Sequence, residues 1–133
     1  MFYRKSFNKR RGAATVELAV CLPVIAIIIM GSLSATSMIF LRTAVVQSAY
    51  EAIREAVKTN GDVNLALERA NAVLEFRDLE AESITFDPAD VADQEPGTLI
   101  TVTVVANSTS NSLFEFGPFA GQRIEVQSAM LKE

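Results

Sequence analysis

The chain has 133 residues, of which 50% are hydrophobic and 21% charged, and a net charge of −4. It contains no histidine, no tryptophan and one cysteine, Cys21, which excludes His-based catalysis, His metal sites and an internal disulfide. Residues 1–12 carry five cations (Arg4, Lys5, Lys9, Arg10, Arg11) and no acid, whereas the remainder carries seven cations against sixteen acids, so nothing in the folded part suggests nucleic-acid binding.

In chain order, the basic segment ends at Gly12 and is followed by AATVE, which places one carboxylate, Glu17, at the head of an apolar run. No charge then occurs from Leu18 to Leu41. As a helix these residues would extend roughly 36 Å, enough to cross a hydrocarbon core of about 30 Å. The cationic flank predicts a cytoplasmic N-terminus and an acidic domain on the far side of the membrane. An ionisable side chain at membrane depth is costly and points to a specific role, so Glu17 is a candidate functional residue. Pro23 removes one hydrogen bond from the helix interior and predicts a kink, serving either as a packing feature or as a hinge. Gly31 and Ala35 form a small-xxx-small pair among Ser32, Ser34, Thr36 and Ser37, a surface on which helices approach closely.

Helical character is predicted to continue beyond the membrane. Over 43–58 the spacing places Val46, Ala49, Tyr50, Ile53, Ala56 and Val57 on one face, and Gln47, Glu51, Arg54, Glu55 and Lys58 on the other. Asn60-Gly61 reads as the stop, with glycine in the left-handed conformation. A second helix, capped by Asp62 or Asn64, carries Leu67, Ala70, Val73 and Leu74 as its apolar stripe. Three strand patterns follow: 83–87 with Ile84 and Phe86 on one face, 99–106 with Ile100, Val102 and Val104, and 123–131 with Ile124, Val126 and Met130. The predicted fold class is α+β: a long N-terminal helix, a second short helix and a small antiparallel sheet of about three strands. The expected organisation is a basic leader (1–12), a transmembrane helix (13–41) and an extracytoplasmic α+β domain (42–133).

Three kinds of machinery read a basic-then-apolar N-terminus. A secretory signal would end near Ser32-Leu33-Ser34, but the apolar run continues past Gly31 and Glu17 weakens its start. A lipoprotein signal ending at Cys21 would want a small residue where Val20 stands. An unprocessed single-pass tether for a binding or regulatory domain needs no acid at Glu17. The remaining arrangement is a basic leader, Gly, four residues, Glu, and an apolar helix with an early Leu-Pro. In RRG followed by AATVELAVCLP the chain resembles the TadE-like family, the pilin-like proteins of tight-adherence (Flp-type) pilus systems. The resemblance is most specific over 10–23 and continues more loosely through QSAYEAIREAV, ITVTVV and SAMLKE.

The resemblance implies a pilin-like structural or assembly component. It would be cut by prepilin peptidase after Gly12 to leave Ala13 as the new N-terminus, and it would reside in the bacterial inner membrane or a surface pilus. Its partners would be the membrane, that peptidase, other pilin-like subunits and pilus assembly proteins. Glu17 would become the fifth mature residue, where such families place an acid that meets the terminal amine of a neighbouring subunit. An α-amino group has an ordinary pKa of roughly 8 and is largely charged at neutral pH, so cleavage supplies the cation that a membrane carboxylate needs. Ala13 departs from the Phe that many major type IV pilins carry there.

Elsewhere the residues suggest no chemistry. Asp87, Asp90, Asp93 and Glu95 lack the spacing and central glycine of a calcium loop and read as a solvated segment. Phe114, Phe116 and Phe119 around Gly117-Pro118 read as cover for the open side of the sheet. No Ser-Lys or paired-carboxylate arrangement has catalytic spacing. The chain is therefore expected to be no enzyme and to need no cofactor, metal or small-molecule substrate.

Overall fold

The computed structural model describes residues 9–111 and 121–133, with side chains from Gly12 onward. Helix α1 (Lys9–Ala56) runs 48 residues without interruption, roughly 72 Å at 1.5 Å per residue. Its run of good helix formers and its membrane-suited apolar stretch contain a single breaker, Pro23, and the helix continues through it. Helix α2 (Val63–Glu75) follows a tight turn and opens on an N-cap at Asp62, whose carboxylate accepts the Asn64 N–H at 2.9 Å. Strands β1 (Ser83–Asp87), β2 (Leu99–Asn107) and β3 (Arg123–Leu131) form an antiparallel sheet in the order β1-β2-β3. The architecture is the α+β arrangement expected from the sequence: a long apolar helix, a short helix and a three-stranded sheet.

One hydrophobic cluster holds the second half of α1, α2 and the sheet together. α1 packs against α2 and against β2 and β3. Central strand β2 contributes Ile100, Val102 and Val104, all fully buried, in register with Met130, Ser128 and Val126 of β3. Ala44, Ala49, Ala52 and Ala56 of α1, with Ala66 and Ala70 of α2, are also fully buried. Side chains this small let the two helix axes approach closely. In that contact the Ser48 hydroxyl donates to the Ala70 carbonyl at 2.9 Å, a polar group buried only because it has a partner.

The buried face of α1 differs from the one that simple periodicity suggests. Leu41, Ala44, Val45, Ser48, Ala49, Ala52, Ile53 and Ala56 point inward, while Val46 and Tyr50 are 46% and 49% exposed. Two partners, a helix and a sheet, embrace this helix over about half its circumference, so small residues and a serine enter the core and two larger apolar residues are left outside. The stop at Gly61 also works differently from the expectation. Gly61 has no positive φ; instead it is buried where a Cβ would overlap the Ala56 carbonyl, so close approach and not left-handedness demands glycine. Beyond β3, Lys132 is 5% exposed, and its ammonium donates to the carbonyls of Val91 and of Ala92, the latter at 3.1 Å. The backbone N–H of Glu133 donates to the Val57 carbonyl at 2.9 Å and ties this end of the sheet to the end of α1.

Candidate functional site

Among the described residues, the first half of α1 stands clear of the folded core. From Gly12 to Leu33 every residue is exposed except half-buried Gly31, and Ser34, at 6% exposure, is the first buried position along the helix among the described residues. Val16, Leu18, Val20, Leu22, Ile27, Ile28 and Ile29 are each more than half exposed. An uncovered apolar cylinder of this length fits a non-aqueous environment. By length and composition α1 is fit to cross a membrane once, and its most apolar 18-residue window is 0% buried, unlike the core helix of a soluble protein. Four hydroxyls on this helix are satisfied internally: Ser32, Thr36, Ser37 and Thr43 donate to the carbonyls of Ile28, Ser32, Leu33 and Ile39 at 2.8, 2.9, 3.1 and 2.9 Å.

The folded part closes around α1 earlier than the sequence alone suggests. The uncharged run reaches Leu41, but Thr36, Ser37 and Phe40 already lie against Arg77, Asp78, Leu79, Ser110 and Asn111, around a groove of about 440 Å³. The Arg77 guanidinium sits 5.4 Å from the Phe40 ring centroid and donates to the Gln47 side-chain oxygen. Asn111 holds this rim together: its amide donates to the Glu80 and Asn107 carbonyls at 2.9 and 2.8 Å, and its oxygen accepts the Glu80 N–H at 2.6 Å. A rim of charged and amide groups does not enter hydrocarbon. The uncovered stretch of α1 therefore ends near Leu33, before the uncharged run does at Leu41.

This boundary gives Glu17 a location. Glu17 is exposed on α1, nineteen residues before Thr36, which is roughly 28 Å along the helix axis and close to the hydrocarbon thickness of about 30 Å. Gly12 and Ala13 lie one turn further out, both exposed and both helical. A Cβ at Gly12 would meet nothing within 4 Å, so no packing among the described residues explains this glycine. The same holds for Gly31, whose Cβ would also meet open space, while Ala35 is half-buried. Pro23 lies on the uncovered stretch, six residues from Glu17. The six singled-out positions thus share one helix without converging on a pocket.

The family model described as "TadE-like protein" matches residues 12–54. Over those residues the chain is similar to that family. No curated protein and no solved structure matches the chain. The TadE-like segment coincides with α1 almost end to end. It takes in both the uncovered stretch and the part that anchors the domain core, and it leaves α2 and the sheet outside. Among the described residues no three Cys, Asp or Glu side chains gather into a metal-ligating set. Phe114, Phe116 and Phe119 lie outside the described residues. The sequence patterns missed two features here: the early closure of the domain on α1 at Ser34, and the rim built by Arg77 and Asn111. Both depend on contacts thirty or more residues apart in sequence, and neither leaves a local signal.

Proposed function

We propose that this chain is a pilin-like component of a tight-adherence pilus apparatus, made with a cytoplasmic leader, held in the inner membrane by the first half of α1, and cut after Gly12 by prepilin peptidase. The observation that carries the reading is the TadE-like helix left bare from Gly12 to Leu33, with one carboxylate at the end away from the domain. The role is structural and works by association, without catalysis. Subunits would meet through the uncovered face of α1, where Gly31 offers open space for the backbone of another helix.

Cleavage changes the electrostatics around Glu17 in a definite way. It removes the five leader cations and creates a terminal amine at Ala13, four residues before Glu17. It also exposes the first backbone N–H groups of the shortened helix, a partial positive charge near which an acid is favourable. A carboxylate moving to the middle of a bilayer or fibre costs about 2.5–3.5 kcal/mol on insertion scales, and a cation from a neighbouring subunit offsets that cost. Glu17 would thus be tolerated at the membrane boundary before assembly and paired within the assembly afterwards.

The test is the N-terminal residue of the protein recovered from cell membranes. Ala13 is expected. Recovery of Met1 would instead indicate an unprocessed tether, and recovery of Ala35 a domain released by signal peptidase. A Gly12→Ala change that leaves the mature mass unaltered would overturn the proposal.

A further inference from the structure

The groove between α1 and the rim has a position and a charge pattern that suit one kind of occupant. Its lining from α1 (Thr36, Ser37 and Phe40) lies within two turns of the last lipid-exposed residue, Leu33. Thr36 to Phe40 spans roughly 6 Å of helix, comparable to the headgroup layer of about 5–7 Å that separates hydrocarbon from water on each side of a bilayer. A bilayer whose core ends at Leu33 would put these lining residues at headgroup height on the domain side.

Two opposite charges face it from consecutive residues. Arg77 is half-buried and stacked on Phe40, with Gln47 as its side-chain partner, and Asp78 is held in a turn at φ 54°. Among the described residues the ion pairs are Lys58–Glu55 and Arg123–Glu82, so neither Arg77 nor Asp78 is neutralised by the other or by a third side chain. An adjacent cation and anion that do not pair, above an apolar floor of Phe40 and Leu79, complement a ligand with a phosphate and an ammonium joined by a short linker and carrying an acyl chain. We infer that this groove binds the headgroup of an aminophospholipid of the phosphatidylethanolamine class, with the phosphate on Arg77, the ammonium on Asp78 and the upper acyl chain against Phe40. The lipid would fix the height of the domain on the membrane. This inference rests on the membrane-spanning part of the proposed function and not on cleavage at Gly12.

The experiment places the full chain in nanodiscs containing equal parts phosphatidylethanolamine, phosphatidylglycerol and phosphatidylcholine, followed by native mass spectrometry of the released protein. The expected result is one retained phosphatidylethanolamine per chain. Arg77→Gln should lose it and Arg77→Lys should keep it. Asp78→Asn should retain phospholipid but no longer prefer phosphatidylethanolamine over phosphatidylglycerol. Arg123→Gln, a cation paired with Glu82 at 3.1 Å and outside the groove lining, should match the unmodified chain. Retention of no phospholipid, of all three lipids equally, or to the same extent by Arg77→Gln and Arg123→Gln would overturn the inference. A chain that fails to enter nanodiscs would overturn the membrane reading and this inference together, whereas entry without selective retention would overturn the inference alone.

Discussion

Val45 and Val46 are neighbours on α1 with the same side chain and opposite environments, 0% and 46% exposed. Replacing each by alanine removes the same two methyl groups from the same helix, so helix propensity, which favours alanine by about 0.5 kcal/mol, cancels between the variants. At Val45 the lost transfer energy is about 1.6 kcal/mol, and a residual cavity of about 40 Å³ adds about 1 kcal/mol. Net of propensity, Val45→Ala should destabilise the domain by about 2 kcal/mol. At Val46 the side chain is half in solvent and no cavity forms, so about 0.8 kcal/mol of transfer is largely offset by propensity and the net cost is about 0.3 kcal/mol. For a domain of this size the difference corresponds to roughly 10 °C in Tm. The assay is thermal or urea unfolding of the full chain in mild detergent, followed by far-UV circular dichroism, with both variants measured beside the unmodified protein. If Val46→Ala costs as much as Val45→Ala, the helix is rotated relative to the core described above, and the contacts with α2 and the sheet are wrong.

Three further outcomes are expected. Gly61→Ala should destabilise by about 1–3 kcal/mol, because its Cβ has no room beside the Ala56 carbonyl; a neutral effect in the same unfolding assay would show that the turn relaxes freely. Lys132→Met removes the donor that the Val91 and Ala92 carbonyls share and should cost about 1.5–3 kcal/mol, with faster amide exchange confined to 89–97 if the lysine acts as a local clamp. Glu17→Gln should leave cleavage after Gly12 intact but reduce incorporation into assemblies, read as mature monomer accumulating in the membrane fraction; normal incorporation would remove Glu17 from the assembly contact.

Much of this fold was legible because its signals are local. The β-branched alternation of Leu99 to Ala106 specifies a central strand whichever sheet it joins, and the Asp62 cap marks the start of α2 two residues from the bond it makes. The orientation of α1 was not legible in the same way. Spacing puts Val46 and Tyr50 on the core face in place of Ala44 and Ser48, yet the contact with α2 requires small side chains, and the Ser48 hydroxyl is satisfied by the Ala70 carbonyl twenty-two residues away. Lys132 reads as a solvated terminal cation until the carbonyls of a distant loop are folded around its ammonium. Of the candidate site, residue types and spacing disclosed Gly12, Glu17 and the uncharged run. Where that run stops being a membrane surface depends on tertiary closure at Ser34.

That closure bears on how a single helix serves two states. The portion of α1 from Ser34 to Ala56 is committed to the domain core and cannot leave it without exposing Leu41, Val45, Ala49 and Ile53. The portion from Gly12 to Leu33 contributes no buried residue to that core. In the proposed function, a subunit that leaves the bilayer for an assembly would exchange only lipid for protein along the bare stretch, and its folded part would travel unchanged. Apolar surface contributes little to the difference, since lipid tails and neighbouring helices are comparably apolar. The selectivity must come from groups that the two environments treat differently. On the bare stretch the side chain that fits this description is Glu17, tolerable at the boundary of a bilayer roughly 28 Å from the rim and costly anywhere deeper without a cation. Under the proposed function, a carboxylate at that one height would set both the depth of the anchor before assembly and the register after it.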